Sequence, residues 1–210
     1  MKQIKVVSGE YRIENEIKRS RFIATAKGEV DQDEAEAFVK SIKKKYSDAT
    51  HNCYAYVADE LGNIARFSDD GEPGGTAGQP ILDVIKKQGL VKTAVVVTRY
   101  FGGIKLGAGG LVGAYSGAAA DVLKAAKILE KKECQRVLVK CDYALFPPVE
   151  KYLFKAECKP LGFDYNDGVK GEIFVPIDSV KKVVEDLNEL TSGKAEISIL
   201  DGVSFEALES

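Results

Sequence analysis

Glycine is concentrated in one part of this 210-residue chain, and that concentration limits the possible folds more than any other feature. Twelve of the 20 glycines lie between Gly71 and Gly117, a window of less than a quarter of the sequence. Glycine adopts positive φ angles without a steric penalty and lets two backbones approach closely. The pattern therefore predicts two tight loops, at residues 68–80 and 98–111, each leading into a helix.

The first 133 residues alternate strand-like and helical patterns. In residues 31–46, apolar side chains recur at helical spacing, and the lysines at 43–45 complement the helix dipole as a solvated face. Residues 91–98 are almost continuously apolar, which favours a fully buried central strand. Strands are predicted at residues 11–17, 21–30, 51–58, 64–67 and 91–98, and helices at 31–46, 76–88 and 111–126, with Thr76 as the N-cap of the second helix.

Residues 134–210 have a different order of elements. Strands are predicted at residues 136–143, 161–166, 171–176 and 195–200, and helices at 147–158 and 179–190. This βαββαβ order is that of the ferredoxin-like split βαβ motif. The sequence therefore predicts an α+β protein of two domains: residues 1–133 form a βββ-rich α/β sandwich, residues 134–210 form a ferredoxin-like domain, and the boundary lies in the charged segment 130–133.

Composition and charge narrow the class of protein. Apolar residues make up 45% and charged residues 30%, which is typical of a folded globular chain. Apolar stretches are too short to cross a bilayer, and four cysteines without a CxxC pair indicate reduced thiols in the cytoplasm. Residues 1–132 carry 21 basic and 17 acidic side chains, whereas residues 133–210 carry 9 and 15. The first domain is therefore the one that would attract an anionic partner.

The second glycine loop follows the buried strand and opens a helix. Backbone N–H groups at such a position can hold an anion, and Arg99 and Lys105 add positive charge. The spacing matches neither GxGxxG nor GxxxxGK[ST], so neither nucleotide-binding fingerprint applies. The alternative interpretation is that these glycines serve only tight turns and close helix packing.

The first glycine loop carries three acids, Asp69, Asp70 and Glu72, within four positions. Their mutual repulsion indicates that they cap amides, meet cations or bind a ligand, and Asp70 and Glu72 could favour the positive end of the following helix. His51 and Cys53 are two residues apart on a strand and should share a face. A Cys–His nucleophile pair oriented by these acids, or a metal held by them, remains open, although no recognised ligand spacing supports a metal.

Three long strings resemble the Impact family in its bacterial, YigZ-like form: HNCYAY at 51–56, SDDGEPGGTAGQP at 68–80 and VTRYFGGIKLGAGGL at 97–111. The resemblance implies a first domain similar to the second domain of a small-subunit ribosomal protein and a second domain similar to one in elongation factor G. It also implies a link to translation. The chain departs from the family pattern at Gly113, where arginine is usual.

Two functions follow as hypotheses. The first is a non-enzymatic, translation-linked regulatory protein that binds RNA, the ribosome or a protein partner, with no cofactor, metal or membrane. The second is a hydrolase or transferase that uses His51, Cys53 and the three acids. The candidate binding residues are His51, Cys53, Asp69, Asp70, Glu72, Thr76, Arg99, Tyr100 and Lys105.

Overall fold

The structure is a computed structural model that describes residues 2–208 and divides into two compact units. One unit is Ile4–Leu129, and the other joins Gln3 to the chain from Glu130 onward. The boundary predicted after residue 133 lies a few residues beyond this division. Within residues 2–208, no helix is long and apolar enough to cross a membrane.

Residues 2–208 form two sheets and five α-helices in an α+β arrangement. The elements up to residue 125 are β1 (Gln3–Val7), β2 (Glu10–Ile17), β3 (Ser20–Gly28), α1 (Gln32–Lys45), β4 (His51–Val57), β5 (Ala65–Ser68), α2 (Gly78–Lys87), β6 (Thr93–Tyr100) and α3 (Ala108–Ala125). The remaining elements are β7 (Ile128–Cys141), α4 (Phe146–Lys155), β8 (Lys159–Asp164), β9 (Val169–Pro176), α5 (Val180–Leu190) and β10 (Glu196–Glu206).

The sheet of the first unit has the strand order β2-β3-β6-β4-β5, and every neighbouring pair is antiparallel. Strand β6 lies at its centre and is covered on both faces. Val95 and Val97 pack in the cluster that includes α2 and α3, whereas Ala94 and Val96 pack in the cluster that includes α1. Burial on both faces explains why residues 94–97 of this strand are continuously apolar rather than alternating.

The second unit has the order βαββαβ from β7 to β10. Strand β7 pairs with β9 and β10, and β9 pairs with β8, all antiparallel. One face of this sheet packs on α4 and α5 through a core that includes Val149, Leu153, Val183 and Leu187. The element order predicted for residues 134–210 is therefore present.

Most element bounds differ by a few residues from the prediction, and three differences are larger. Strand β1 was not expected at all, because its five residues are too few to establish a period. Strand β7 begins at Ile128 and runs through the charged segment at 130–133, which was predicted as the domain boundary. Strand β10 continues to Glu206 past a register shift between Ile199 and Val203. Alternation is interrupted at such shifts, so the second part of the strand has no clear sequence signal.

Candidate functional site

The first glycine loop connects β5 to α2 and is organised by one carboxylate. Asp69 Oδ1 accepts hydrogen bonds from the amides of Ala77 at 3.0 Å and Gly78 at 2.8 Å, and Oδ2 accepts one from Gly75 at 2.9 Å. Asp69 thus satisfies N–H groups at the start of α2 that have no partner within the helix. The loop therefore folds back so that the start of α2 lies beside Asp69, which caps the helix from eight and nine residues earlier in the sequence.

This geometry corrects two predictions about the loop. Thr76 is not the N-cap of α2, because its hydroxyl donates to the carbonyl of Pro73 at 2.7 Å and the helix begins at Gly78. Asp70 and Glu72, which were expected to favour the helix dipole, face other partners. The carboxylate next to them supplies the cap, since only Asp69 lies in line with the free amides.

The charge state of Asp69 follows from two opposing effects. Burial acts to raise the pKa of this carboxyl, but the three amide hydrogen bonds outweigh burial and hold the pKa below its ordinary value. The group is therefore a carboxylate at neutral pH. Both of its oxygens accept hydrogen bonds from backbone amides of residues 75–78.

Asp70 links the loop to helix α1 and to strand β4. Its carboxylate lies 2.5 Å from Lys43 Nζ and accepts a hydrogen bond from the Asn52 amide at 2.6 Å. Its carbonyl oxygen lies 2.8 Å from His51 Nδ1, and its backbone has a φ of 46°. Lys43 is consequently more than part of a solvated lysine face, because it helps to hold the glycine loop in place.

Glu72 reaches into the interior from the same loop. Its Oε1 lies 2.6 Å from Arg99 Nη1, and the Glu72 and Arg99 side chains are only 4% and 6% exposed. The Tyr115 hydroxyl donates to the same oxygen at 2.7 Å, and His51 Nε2 lies 3.9 Å from Oε2. This buried cluster joins the loop to β4, β6 and α3.

Arg99 is therefore not the surface cation that the sequence indicated. Besides its ion pair, its guanidinium lies 5.6 Å from the centre of the Phe22 ring and 5.4 Å from that of Phe101. Because this guanidinium is buried and already paired with Glu72, it is not exposed to a phosphate at the surface. The structure thus assigns Arg99 to the interior of the unit, as a contact between β6 and the first glycine loop.

Cys53 is fully buried in strand β4, and its thiol donates to the carbonyl of Asp69 at 3.0 Å. Burial raises the pKa of Cys53 to about 12, so the thiol stays protonated at neutral pH. A nucleophile must be the thiolate and must be reachable by a substrate. Cys53 therefore lacks the exposed thiolate that a cysteine nucleophile requires, and Cys53 and His51 both contact the backbone of the first glycine loop.

The same side chains were considered as metal ligands. Over residues 2–208, no three His, Cys, Asp or Glu side chains are grouped so that they could hold a metal ion. The oxygens of the three acids instead meet the amide, lysine and arginine partners described above.

Of the second glycine loop predicted at 98–111, residues 101–107 lie outside the neighbouring strand and helix. This segment, called the second glycine loop from here on, begins against the turn between β2 and β3. A Cβ atom added to Gly102 would lie 1.9 Å from the carbonyl oxygen of Arg19, so only glycine permits this approach. The Gly102 amide donates to Ser20 Oγ at 3.2 Å, and the Phe101 amide donates to Thr50 Oγ1 at 3.0 Å. The loop is thus anchored at its start, and the residues after Gly102 are largely exposed.

The exposed cations near this loop differ from those expected. Lys105 is exposed, as predicted for a binding residue, and the β2–β3 turn adds Lys18 and Arg19, which are also exposed. Among residues 2–208, none of these three side chains forms an ion pair within 4 Å. We refer to Lys18, Arg19 and residues 101–107 as the turn–loop surface.

Tyr100 lies at the end of β6 beside this surface. Its hydroxyl donates to Asp48 at 2.9 Å, and the guanidinium of Arg21 lies 5.3 Å from its ring centre. Burial and the bond to Asp48 raise the pKa of Tyr100. Tyr100 therefore contacts the neighbouring side chains of Asp48 and Arg21, and it packs beside the turn–loop surface without being part of it.

The cations of the turn were missed because the sequence there has no hairpin signal. Ile17 pairs with Ser20, so the loop between them has two residues, and Lys18 and Arg19 have φ values of 46° and 61°. Two-residue hairpin loops with positive φ at both positions favour Asn-Gly or Asp-Gly. The available signal was the adjacent pair of cations inside the turn predicted between two strands.

Two family models match the chain, one in each unit. Residues 18–123 match the Impact N-terminal domain, and residues 139–194 match a domain of unknown function, DUF1949. All candidate residues from the two glycine loops lie within the first match.

Bacterial relatives match over most of their length. The chain is 40% identical over 190 residues to the IMPACT family member YvyE of Bacillus subtilis (strain 168), covering 90% of this chain and 87% of the relative. It is 34% identical over 189 residues to the IMPACT family member YigZ of Escherichia coli (strain K12), covering 89% and 92%. A crystal structure of a hypothetical protein is 31% identical with a TM-score of 0.63, covering 96% of this chain and 98% of that one.

Proposed function

This chain belongs to the Impact family, and we propose that it is a non-enzymatic, translation-linked protein that binds RNA through the turn–loop surface of its first unit. The observation that carries the proposal is a set of three exposed cations: Lys18 and Arg19 in the turn against which Gly102 packs, and Lys105 three residues after Gly102. Cations free of internal partners can neutralise phosphates and release counterions, which is the main source of affinity for nucleic acid.

The surface also offers groups that suit a nucleic acid beyond its charge. Phe101 and Ile104 are 46% and 40% exposed in the same loop, on either side of the two glycines at 102 and 103. Exposed aromatic rings next to cations can stack on unpaired bases. A single-stranded or looped RNA therefore fits the surface better than a regular duplex does.

Backbone strain in the turn supports the same conclusion. Lys18 and Arg19 occupy positive φ positions that cost a side chain with a Cβ about 1 kcal/mol or more. A sequence selected for stability alone would place Asn-Gly there. Strain of this kind is typical of functional positions, where a side chain is needed despite its cost to the fold.

The first glycine loop has a supporting role in this proposal. Its three acids, Asp69, Asp70 and Glu72, hold the loop against the rest of the unit. Arg99 is the buried partner of Glu72 in these contacts. Residues 101–107 begin two positions after Arg99. The buried cluster of Glu72, Arg99 and Tyr115 therefore fixes the position of the strand end from which the turn–loop surface starts.

The link to translation extends the proposal beyond RNA binding. We take the first unit to resemble the second domain of a small-subunit ribosomal protein and the βαββαβ unit to be ferredoxin-like, similar to a domain in elongation factor G. The strand and helix order of the two units supports this resemblance. The ribosome is accordingly the partner on which RNA binding would first be sought.

Filter binding of a single-stranded RNA at two salt concentrations tests the proposal. We expect Lys105→Ala to weaken binding and to reduce the slope of log affinity against log salt by about 0.7, the value for one lost phosphate contact on a single strand. Lys124→Ala is the matched control, because Lys124 is an exposed lysine in the last turn of α3. Binding that is absent, independent of salt, or weakened equally by both substitutions would refute the proposal.

A further inference from the structure

A groove lies on the face of the first sheet that is covered by α1. It shares no residue with the turn–loop surface and carries a second inference. Helix α1 forms one wall, and strands β4 and β5 form the other. The groove has a volume of about 470 Å³, within the range of about 300–1,000 Å³ that is usual for small-ligand sites. It lies wholly within the unit Ile4–Leu129.

One wall of the groove is aromatic. The rings of Tyr54 and Tyr56 are stacked, with centres 6.2 Å apart and an angle of 9° between their planes. Tyr56 is buried, whereas Tyr54 is half-buried and lines the groove with its ring. The Lys43 ammonium also lies 5.4 Å from the centre of the Tyr54 ring, so a planar aromatic ligand would stack on Tyr54 beside this cation or in its place.

The charges around the stacked rings are mainly positive. Lys40, Lys43 and Arg66 line the groove together with a single acid, Glu36. Lys43 is already paired with Asp70. Lys40 and Arg66 form no ion pair within 4 Å in the part of the chain that the structure describes. Two cations are therefore available to an anionic ligand.

Glu36 supplies a directional contact inside this positive setting. Its Oε1 accepts hydrogen bonds from the Tyr56 hydroxyl at 3.2 Å and from Gln32 at 3.1 Å. These bonds hold the carboxylate in one orientation and engage only one of its two oxygens. The second oxygen can accept an N–H group from a ligand, as carboxylates do from the edges of nucleobases.

We propose that this groove binds a nucleotide, with its base stacked on Tyr54, its phosphate held by Lys40 and Arg66, and a base N–H directed to Glu36. An aromatic ring, an anion and an N–H donor within one small ligand match the three kinds of group that line the groove. The same chemistry could come from a free nucleotide or from one residue of a single-stranded RNA. The inference does not rest on RNA binding at the turn–loop surface.

Isothermal titration calorimetry of the full chain with AMP, adenosine and ribose 5-phosphate tests each part of the site. We expect AMP to bind more tightly than either fragment, and Tyr54→Leu to weaken AMP binding by at least about fivefold, the lower bound for loss of one base–aromatic stack. The double variant Lys40→Gln/Arg66→Gln changes only exposed side chains, so it keeps the fold and should also weaken AMP binding. Circular dichroism verifies that Tyr54→Leu is folded.

The control variant Lys18→Asn/Arg19→Gly removes two cations from the turn–loop surface and should leave AMP binding unchanged. Its RNA binding reports on the proposed function, so the two proposals can fail separately. A single-stranded tetranucleotide distinguishes the sources: tighter binding than AMP, lost in the groove variants, identifies an RNA residue, and equal or weaker binding identifies a free nucleotide. The inference is overturned if AMP does not bind at millimolar concentration, if adenosine binds as tightly as AMP, or if the groove variants bind AMP normally.

Discussion

Arg99→Leu is the substitution that most clearly separates support of the fold from contact with RNA. Arg99 and Glu72 form a 2.6 Å ion pair whose side chains are 6% and 4% exposed. Removing the arginine leaves the glutamate charged in the protein interior, and such changes cost about 3–5 kcal/mol. We expect the free energy of unfolding to fall by about 3 kcal/mol, the lower end of that range, because the Tyr115 hydroxyl still donates to Glu72.

A loss of this size is a large part of the stability of a domain, which is typically about 5–15 kcal/mol. Urea unfolding followed by far-UV circular dichroism measures it, since the chain has no tryptophan for fluorescence. With a denaturant dependence of about 1–3 kcal/mol per molar urea, the midpoint should fall by about 1 M or more.

Arg21→Leu is the matched control for this measurement. Arg21 Nε lies at the same 2.6 Å from Glu14, but these side chains are 48% and 41% exposed. Exposed ion pairs contribute little, so the midpoint of this variant should stay near that of the wild type. The double variant Glu72→Gln/Arg99→Leu should recover part of the loss, because no buried charge remains. If Arg99→Leu is no less stable than Arg21→Leu, the assignment of Arg99 to a stabilising buried pair is wrong.

Three further predictions concern the loops and the thiols. Asp69→Ala should cost about 1 kcal/mol near pH 7, as loss of a helix cap does; because the amide bonds keep the pKa of Asp69 low despite burial, its contribution is fully present above about pH 4, the pKa of an unfolded aspartate, and is lost as the pH falls through the lower folded pKa, so the urea midpoints of variant and wild type should converge in acid. Burial raises the pKa of Cys53 to about 12, so a thiol reagent should modify this residue only after unfolding, and rapid modification of the native protein would contradict its described environment. Gly102→Ala should destabilise by about 1–3 kcal/mol through overlap with the Arg19 carbonyl, whereas Gly113→Ala, which meets open space on α3, should be neutral or stabilising by up to about 1 kcal/mol in thermal unfolding.

Much of the fold could be predicted because its signals are local. The strand predicted at 91–98 overlaps β6, which the structure places two residues later at Thr93–Tyr100, and the spacing at 31–46 corresponds to α1 with Asp31 as its cap. The α+β class and the family follow from such segments and from the long glycine-rich strings. Strand β1 and the second part of β10 could not be predicted, since a short strand and a register shift leave no period to read.

The candidate site was harder to predict because its contacts join distant segments. The sequence places Arg99 beside a glycine loop, but whether that cation faces water depends on Glu72, 27 residues earlier. Asp69 and Thr76 both have side chains that cap helices, and only the path of the loop decides between them. The strands predicted at 11–17 and 21–30 imply the turn between them, but Lys18 and Arg19 are not the residues that a two-residue hairpin loop favours, so residue preference did not mark this turn as a site of two exposed cations.

The variant Lys18→Asn/Arg19→Gly tests most directly the proposal that the β2–β3 turn presents two cations to RNA at a cost in stability. Its urea midpoint and its RNA affinity are measured on the same preparation, with Lys124→Ala as the control for charge. We predict that the midpoint rises, because Asn and Gly accept the positive φ angles of this turn, and that RNA affinity falls by several fold. A variant that is more stable and binds RNA as tightly as the wild type would contradict the claim.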